Sequence, residues 1–130
     1  MASAACTFCN IIKGEIPCMK LFESERVLAF LDIQPLSRGH ALVIPKYHGA
    51  KLTDIPDADL RELLPVAKKI AVAAGADDFN ILQNNGTIAH QVVPHIPKPN
   101  EPEGLGIRWP AKEADKDDLK TLWEELKSKM

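Results

Sequence analysis

The chain has 130 residues, enough for one hydrophobic core and too few for two. Its 45% hydrophobic and 26% charged residues are the balance of a soluble globular domain, which excludes disorder as the main state. A formal charge of -2 supplies no pull toward a nucleic-acid backbone or an anionic membrane, so neither is expected as a partner.

Residues 1–5 are small and lack the basic and apolar blocks of a signal peptide. The longest aliphatic stretch, Ala41-Leu42-Val43-Ile44, is too short to span a bilayer. Cys6, Cys9 and Cys18 are an odd set that includes a CxxC. This suits a reducing compartment and a metal better than a secreted disulfide framework, so a cytoplasmic protein is expected, with the nucleus also open to it.

Two short apolar runs, Met19 to Glu23 and Val27 to Leu31, read as strands about the turn Ser24-Glu25-Arg26. Gln34 to Gly39 reads as a loop, and Ala41 to Pro45 as a strand whose unbroken apolar character predicts cover on both faces. A helix is predicted from Ala58 to Ala74, with Asp57 as N-cap and Leu60, Leu63, Leu64, Ala67, Ile70, Ala71 and Ala74 along one stripe. Pro65 should kink or restart it, and Gly75 should stop it. Phe79 to Gln83 is the next strand, followed by the turn Asn84-Asn85-Gly86. A last helix is predicted from Lys116 to Lys127, with Leu119, Leu122, Trp123 and Leu126 on one face. Strands first with helices interleaved point to an α+β domain on an antiparallel sheet.

Three segments could carry chemistry. Cys6 and Cys9 can reach one tetrahedral zinc, but a structural site needs four ligands, with His40, His48, His90 and His95 as candidates for the rest. A plain pair of thiols fits the same spacing. A redox role needs the motif after a strand, which this position does not allow. The turn Asn84-Asn85-Gly86 exposes N–H groups and amides that can hold phosphate oxygens, and His90 and His95 follow it. On spacing alone, a polar hairpin tip with surface histidines is the better reading. Phe30-Leu31-Asp32-Ile33 offers apolar walls and a carboxylate to a nucleoside, or a strand end with a solvated aspartate. Lys46, Lys98 and Arg108 read as surface charges.

In order and spacing, several segments together resemble the histidine triad (HIT) family, nearest its Hint-like nucleotide hydrolases. They are Cys6 to Pro17, Ala29 to Pro35, Gly39 to His48, Asn80 to Gly86, and His90-Gln91-Val92-Val93-Pro94-His95. The resemblance covers residues 6–110 as one HIT domain, leaving 111–130 as a helical extension packed on it. It implies a HIT-like α+β fold with a five-stranded antiparallel sheet and two main helices, doubled in a homodimer. It also implies binding of a purine nucleoside monophosphate or AMP conjugate, with Phe30, Asp32 and Ile33 around base and ribose and Asn84 on the phosphate side. The chemistry it implies is hydrolysis of AMP-linked phosphoramidates or dinucleoside polyphosphates, with a histidine attacking the α-phosphorus. Zinc-bearing members imply structural zinc on Cys6, Cys9, His48 and His95.

One departure bears on activity. The family signature is His-x-His-x-His, whereas this chain runs from Pro94-His95 directly into Ile96-Pro97-Lys98-Pro99. About five residues between intact flanks are missing, and with them the nucleophile; His95 is the remaining triad histidine and the one catalytic-site residue left. An odd deletion reverses the facing of all that follows on a strand. It also brings two prolines, each lacking an N–H, within three positions. The last sheet strand should therefore be shortened and hydrolysis severely impaired. The alternative is a nucleotide-binding or partner-binding module without turnover.

Overall fold

The computed structural model describes residues 6–86, 94–97 by their backbone course, 99–100, 102 and 112–130. His90, Lys98 and Arg108, singled out above, lie outside the described residues. The α+β class holds. The elements are α1 (Thr7–Ile12), β1 (Lys20–Glu23), β2 (Val27–Leu31), β3 (Ala41–Pro45), a 3-10 turn (Leu52–Asp54), α2 (Asp57–Ala74), β4 (Phe79–Ile81), β5 (Pro94–Pro97) and α3 (Lys116–Lys129).

β2 is central to the packing. It pairs antiparallel with β1 on one side and with β3 on the other, in register from Val27↔Pro45 to Leu31↔Ala41. The hairpin turn before it is held by the Ser24 hydroxyl, which accepts from the Arg26 and Val27 amides. Because side chains alternate along a strand, the apolar run divides between two faces. Val27, Ala29 and Val43 pack against Leu63, Val66 and Ala67 of α2. Leu28, Phe30, Leu42 and Ile44 pack on the opposite face, against Phe8, Ile11 and Ile12 of α1. The sheet is therefore covered on both sides, as the apolar run at Ala41–Ile44 required.

The first helix leaves no mark in the sequence pattern. Six residues give too little periodicity to register, and the Cys6 thiol takes the capping role by accepting from the Cys9 amide. In α2, Pro56 rather than Asp57 occupies the N-cap, and Asp57 is the first helical residue. The helix continues through Pro65 as one element, so it does not restart there. Pro65 and Arg61, whose carbonyl lacks the amide donor a proline cannot supply, are both exposed, so solvent can meet that carbonyl. Gly75 ends the helix in the left-handed region, at φ 66°, its amide reaching back to the Ala71 and Val72 carbonyls.

β4 stops at Ile81 rather than Gln83. β5 joins β3 to β4, so the strand order is β1-β2-β3-β5-β4. Its pairing with β3 is limited to Ala41↔His95 and Leu42↔Pro94, and it begins and ends at a proline. α3 is capped by Asp115, whose carboxylate accepts from the Asp117 and Asp118 amides. Among the described residues of the extension, 112–130, none is buried, and Leu119, Leu122, Trp123 and Leu126 are exposed. An amphipathic stripe specifies that a helix needs an apolar partner, not which surface supplies it. No helix is long and apolar enough to cross a membrane among the described residues.

Candidate functional site

The folded chain brings Cys6, Cys9 and His48 together. The short α1 sets the two cysteines one turn apart, and the segment leaving β3 returns His48 to them. The three candidate ligand atoms lie within 4.8 Å of one another. The Cys9 Sγ is 3.2 Å from the His48 Nδ1. Zinc bonds of about 2.3 Å to sulfur and 2.0 Å to nitrogen at a tetrahedral angle separate two such donors by about 3.5 Å, so the spacing fits that metal. Burial pushes the Cys6 thiol up, but hydrogen bonds from the Cys9 and Phe8 amides and the Cys9 thiol outweigh it. The net direction is downward, toward the thiolate that a metal requires.

Three candidate ligands would leave one position of a tetrahedral site to fill. His95 sits in β5 directly across from Ala41 of β3 and Ile81 of β4, which is a backbone placement only. Its side chain lies outside what is described. Of the other histidines proposed as ligands, His40 does not belong to this group.

A cavity of about 230 Å³ adjoins the cluster, lined by Cys6, Cys9, His48 and Asn84 and floored by Ile44 and Leu63. Asn84 is thus brought to the cysteine–histidine group from more than thirty positions away. The loop carrying it is tied down by its neighbour: the Asn85 side-chain oxygen accepts from the Leu52 amide at 2.7 Å. Gly86 then takes φ 85°, a conformation glycine adopts freely.

The residues assigned to base and ribose do not line this cavity. Phe30 is only 5% exposed and lies tilted against Phe8, with 6.4 Å between ring centroids. Ile33, at 87%, is exposed. Asp32 lies between them, at the end of β2, with one carboxylate oxygen accepting from the Gln34 amide at 2.8 Å. The sequence did not reveal its second neighbour, His40, whose Nε2 is 3.6 Å from the other oxygen. The eight-residue separation carried no signal, because the two meet only when the chain doubles back between β2 and β3. Lys46 is more than a solvated surface charge. Together with Lys20 it pairs with Glu23, whose carboxyl is pulled down to about 2.

The HIT domain family matches residues 13–96. An adenosine 5'-monophosphoramidase of Saccharomyces cerevisiae is 56% identical over 132 aligned residues, covering 98% of this chain and 84% of that protein. Since 98% of this chain is about 127 residues, about five aligned positions face no residue here. A crystal structure of a histidine triad nucleotide-binding protein from Candida albicans superposes with a TM-score of 0.90 at 48% identity, covering 96% of each chain. A Zn-bound histidine triad family protein from Mycobacterium smegmatis superposes at 0.69 with 34% identity, covering 97% of this chain and 98% of that one. The chain belongs to the HIT domain family, in its Hint-like branch of nucleotide hydrolases.

Proposed function

We propose that this chain binds AMP or an AMP conjugate, and that its inherited reaction is hydrolysis of AMP-linked phosphoramidates or dinucleoside polyphosphates through a nucleotidyl-histidine. In this reading Phe30, Asp32 and Ile33 flank base and ribose, while Asn84 meets the phosphate. The observation that carries it is the extensive identity with an adenosine 5'-monophosphoramidase.

Turnover is severely impaired. The sequence passes from Pro94-His95 to Ile96-Pro97 with no second or third triad histidine, and β5 ends at that second proline. His95 remains in the sequence without the nucleophile it would assist. About five unmatched aligned positions agree in size with the missing segment.

We also read Cys6, Cys9, His48 and His95 as the ligands of a structural zinc. Such an ion, when bound, cross-links α1 to the segment leaving β3 and supplies no chemistry to the reaction. The five-stranded HIT sheet, with a shortened β5, pairs with a second copy across the edge strand β4. Exposed Leu64, Val72, Phe79 and Ile81 beside that edge support a homodimer. Three free cysteines fit a cytoplasmic or nuclear setting.

The test is hydrolysis of adenosine 5'-phosphoramidate together with calorimetric titration of AMP in the same sample. AMP binding without turnover is the expected result. A burst of adenylyl-histidine would overturn the impairment, and absence of AMP binding would overturn the nucleotide reading.

A further inference from the structure

His40 is buried, at 5% exposure, and makes an unusual pair of contacts. Its Nδ1 accepts a hydrogen bond from the Leu36 amide at 3.1 Å. A ring nitrogen that accepts carries no proton, so this pattern assigns the hydrogen of the neutral imidazole to Nε2. Burial favours that neutral form by pushing the imidazole's pKa down, with Asp32 opposing. Nε2 itself is buried and has no hydrogen-bond partner among the described residues. A buried donor left unmatched is costly, so its surroundings need explaining. The nearest acidic oxygen is Oδ2 of Asp32, at 3.6 Å.

The two residues are also joined through the backbone, the Asp32 amide donating to the His40 carbonyl at 2.9 Å. The other carboxylate oxygen, Oδ1, accepts from the Gln34 amide. We propose that His40 is a positioning residue: its Nε2–H steers Oδ2 of Asp32 while the Gln34 amide holds Oδ1, so that the carboxylate presents its remaining lone pairs to the two vicinal hydroxyls of a ribose. The inference rests on the reading of Asp32 as the ribose acceptor, and it makes His40 a determinant of ribose recognition without contact to the nucleotide. A small rotation of the carboxylate brings the 3.6 Å approach within hydrogen-bond range. Each oxygen of a carboxylate has two lone pairs, so one protein donor on each leaves one acceptor site per oxygen. Two fixed acceptors match two adjacent hydroxyls, and a freely rotating carboxylate would first have to be ordered on binding.

The experiment compares AMP with 2',3'-dideoxyadenosine monophosphate by calorimetry in the full-length protein, His40→Asn and His40→Gln. Asparagine keeps an acceptor for the Leu36 amide but cannot reach Asp32, whereas the longer glutamine amide places a donor near the former Nε2. Wild type is expected to prefer AMP, and His40→Asn to lose about tenfold of that preference, the effect of one charge-assisted hydrogen bond. The dideoxy affinity should stay within about twofold, because that ligand makes no use of the carboxylate's orientation. His40→Gln should restore the preference. Equal weakening of both nucleotides by His40→Asn, or an unchanged preference, overturns the positioning role. A wild-type protein that binds both equally overturns the ribose assignment of Asp32 itself, a result visible before any variant is made.

Discussion

The Sγ of Cys9 lies 3.2 Å from Nδ1 of His48, although 39 positions separate the two residues. One is on the first helix and the other follows the third strand, so the contact joins the cover of the sheet to the sheet itself. With zinc bound there, cell-purified protein is expected to contain about one ion per chain, and removal of a ligand should weaken folding as well as metal binding. Metal analysis and calorimetric melting with and without a chelator check this. Cys9→Ser should lose both the ion and the chelator-dependent drop in Tm. A wild-type protein with well under one ion and a melting curve indifferent to chelator would remove zinc from the account.

Gly49 follows His48 and has no room for a side chain. A Cβ there would stand 2.5 Å from Cδ1 of Ile55 and 3.1 Å from Cβ of Asp54. Ile55 is buried, so it cannot simply swing into water. Gly49→Ala is expected to destabilise the fold by about 1–3 kcal/mol, the usual range for overpacking. Because the displaced segment begins at His48, a candidate zinc ligand, any zinc content should fall with it. Urea unfolding and metal analysis of the same variant test both effects.

Arg26 reaches across to Asp59, with Nη1 2.9 Å from Oδ1. The aspartate is nearly buried in the first turn of α2, while the arginine is half-exposed. Replacing the partner strands a carboxylate, so Arg26→Met should cost about 1.5 kcal/mol, near the lower end for bonds to charged groups because solvent screens this pair. Asp59→Asn in the same chain should recover part of that loss, which a double-mutant cycle by chemical denaturation would reveal. Additive losses in the cycle would mean that the pair is not coupled.

Burial lowers the pKa of His40 from its ordinary 6.5, against the opposing pull of Asp32. The unfolded chain therefore takes up that proton at a higher pH than the folded one. The stability contributed is complete above about pH 6.5 and declines as pH falls through the interval down to the folded value. Thermal melts should show Tm falling below about pH 6.5, with a shallower slope in His40→Gln. Glu23 occupies a separate window. Its carboxyl is held at about 2 by hydrogen bonds from Lys20 and Lys46, so its contribution is present above 4.5 and lost toward about 2.

Much of the domain is legible in the sequence because its determinants are local. Alternating and continuous apolar runs locate β2 and β3, and a 3.6-residue stripe with a terminal glycine locates α2. Where a boundary depends on surroundings, local pattern misleads. Pro65 stays within one helix element at an exposed position, as does Arg61, whose carbonyl it leaves without a donor, a circumstance of packing that no propensity encodes. α1 escapes a reading by pattern because six residues have little intrinsic helical preference, and their helix is stabilised by packing Phe8, Ile11 and Ile12 on the sheet.

The site divides in the same way. By itself the sequence determined that Cys6 and Cys9 form a CxxC able to hold a metal with one or more of the four histidines, the family resemblance, and the absence of further triad histidines between His95 and Ile96. Each of these is a matter of residue identity and order along the chain. The tertiary structure alone decided that the cysteines and His48 come within 4.8 Å of one another, that Asn84 shares their cavity, and that His40 stands beside Asp32. These relations depend on strand register and on the return of distant segments, which long-range packing chooses and local composition does not.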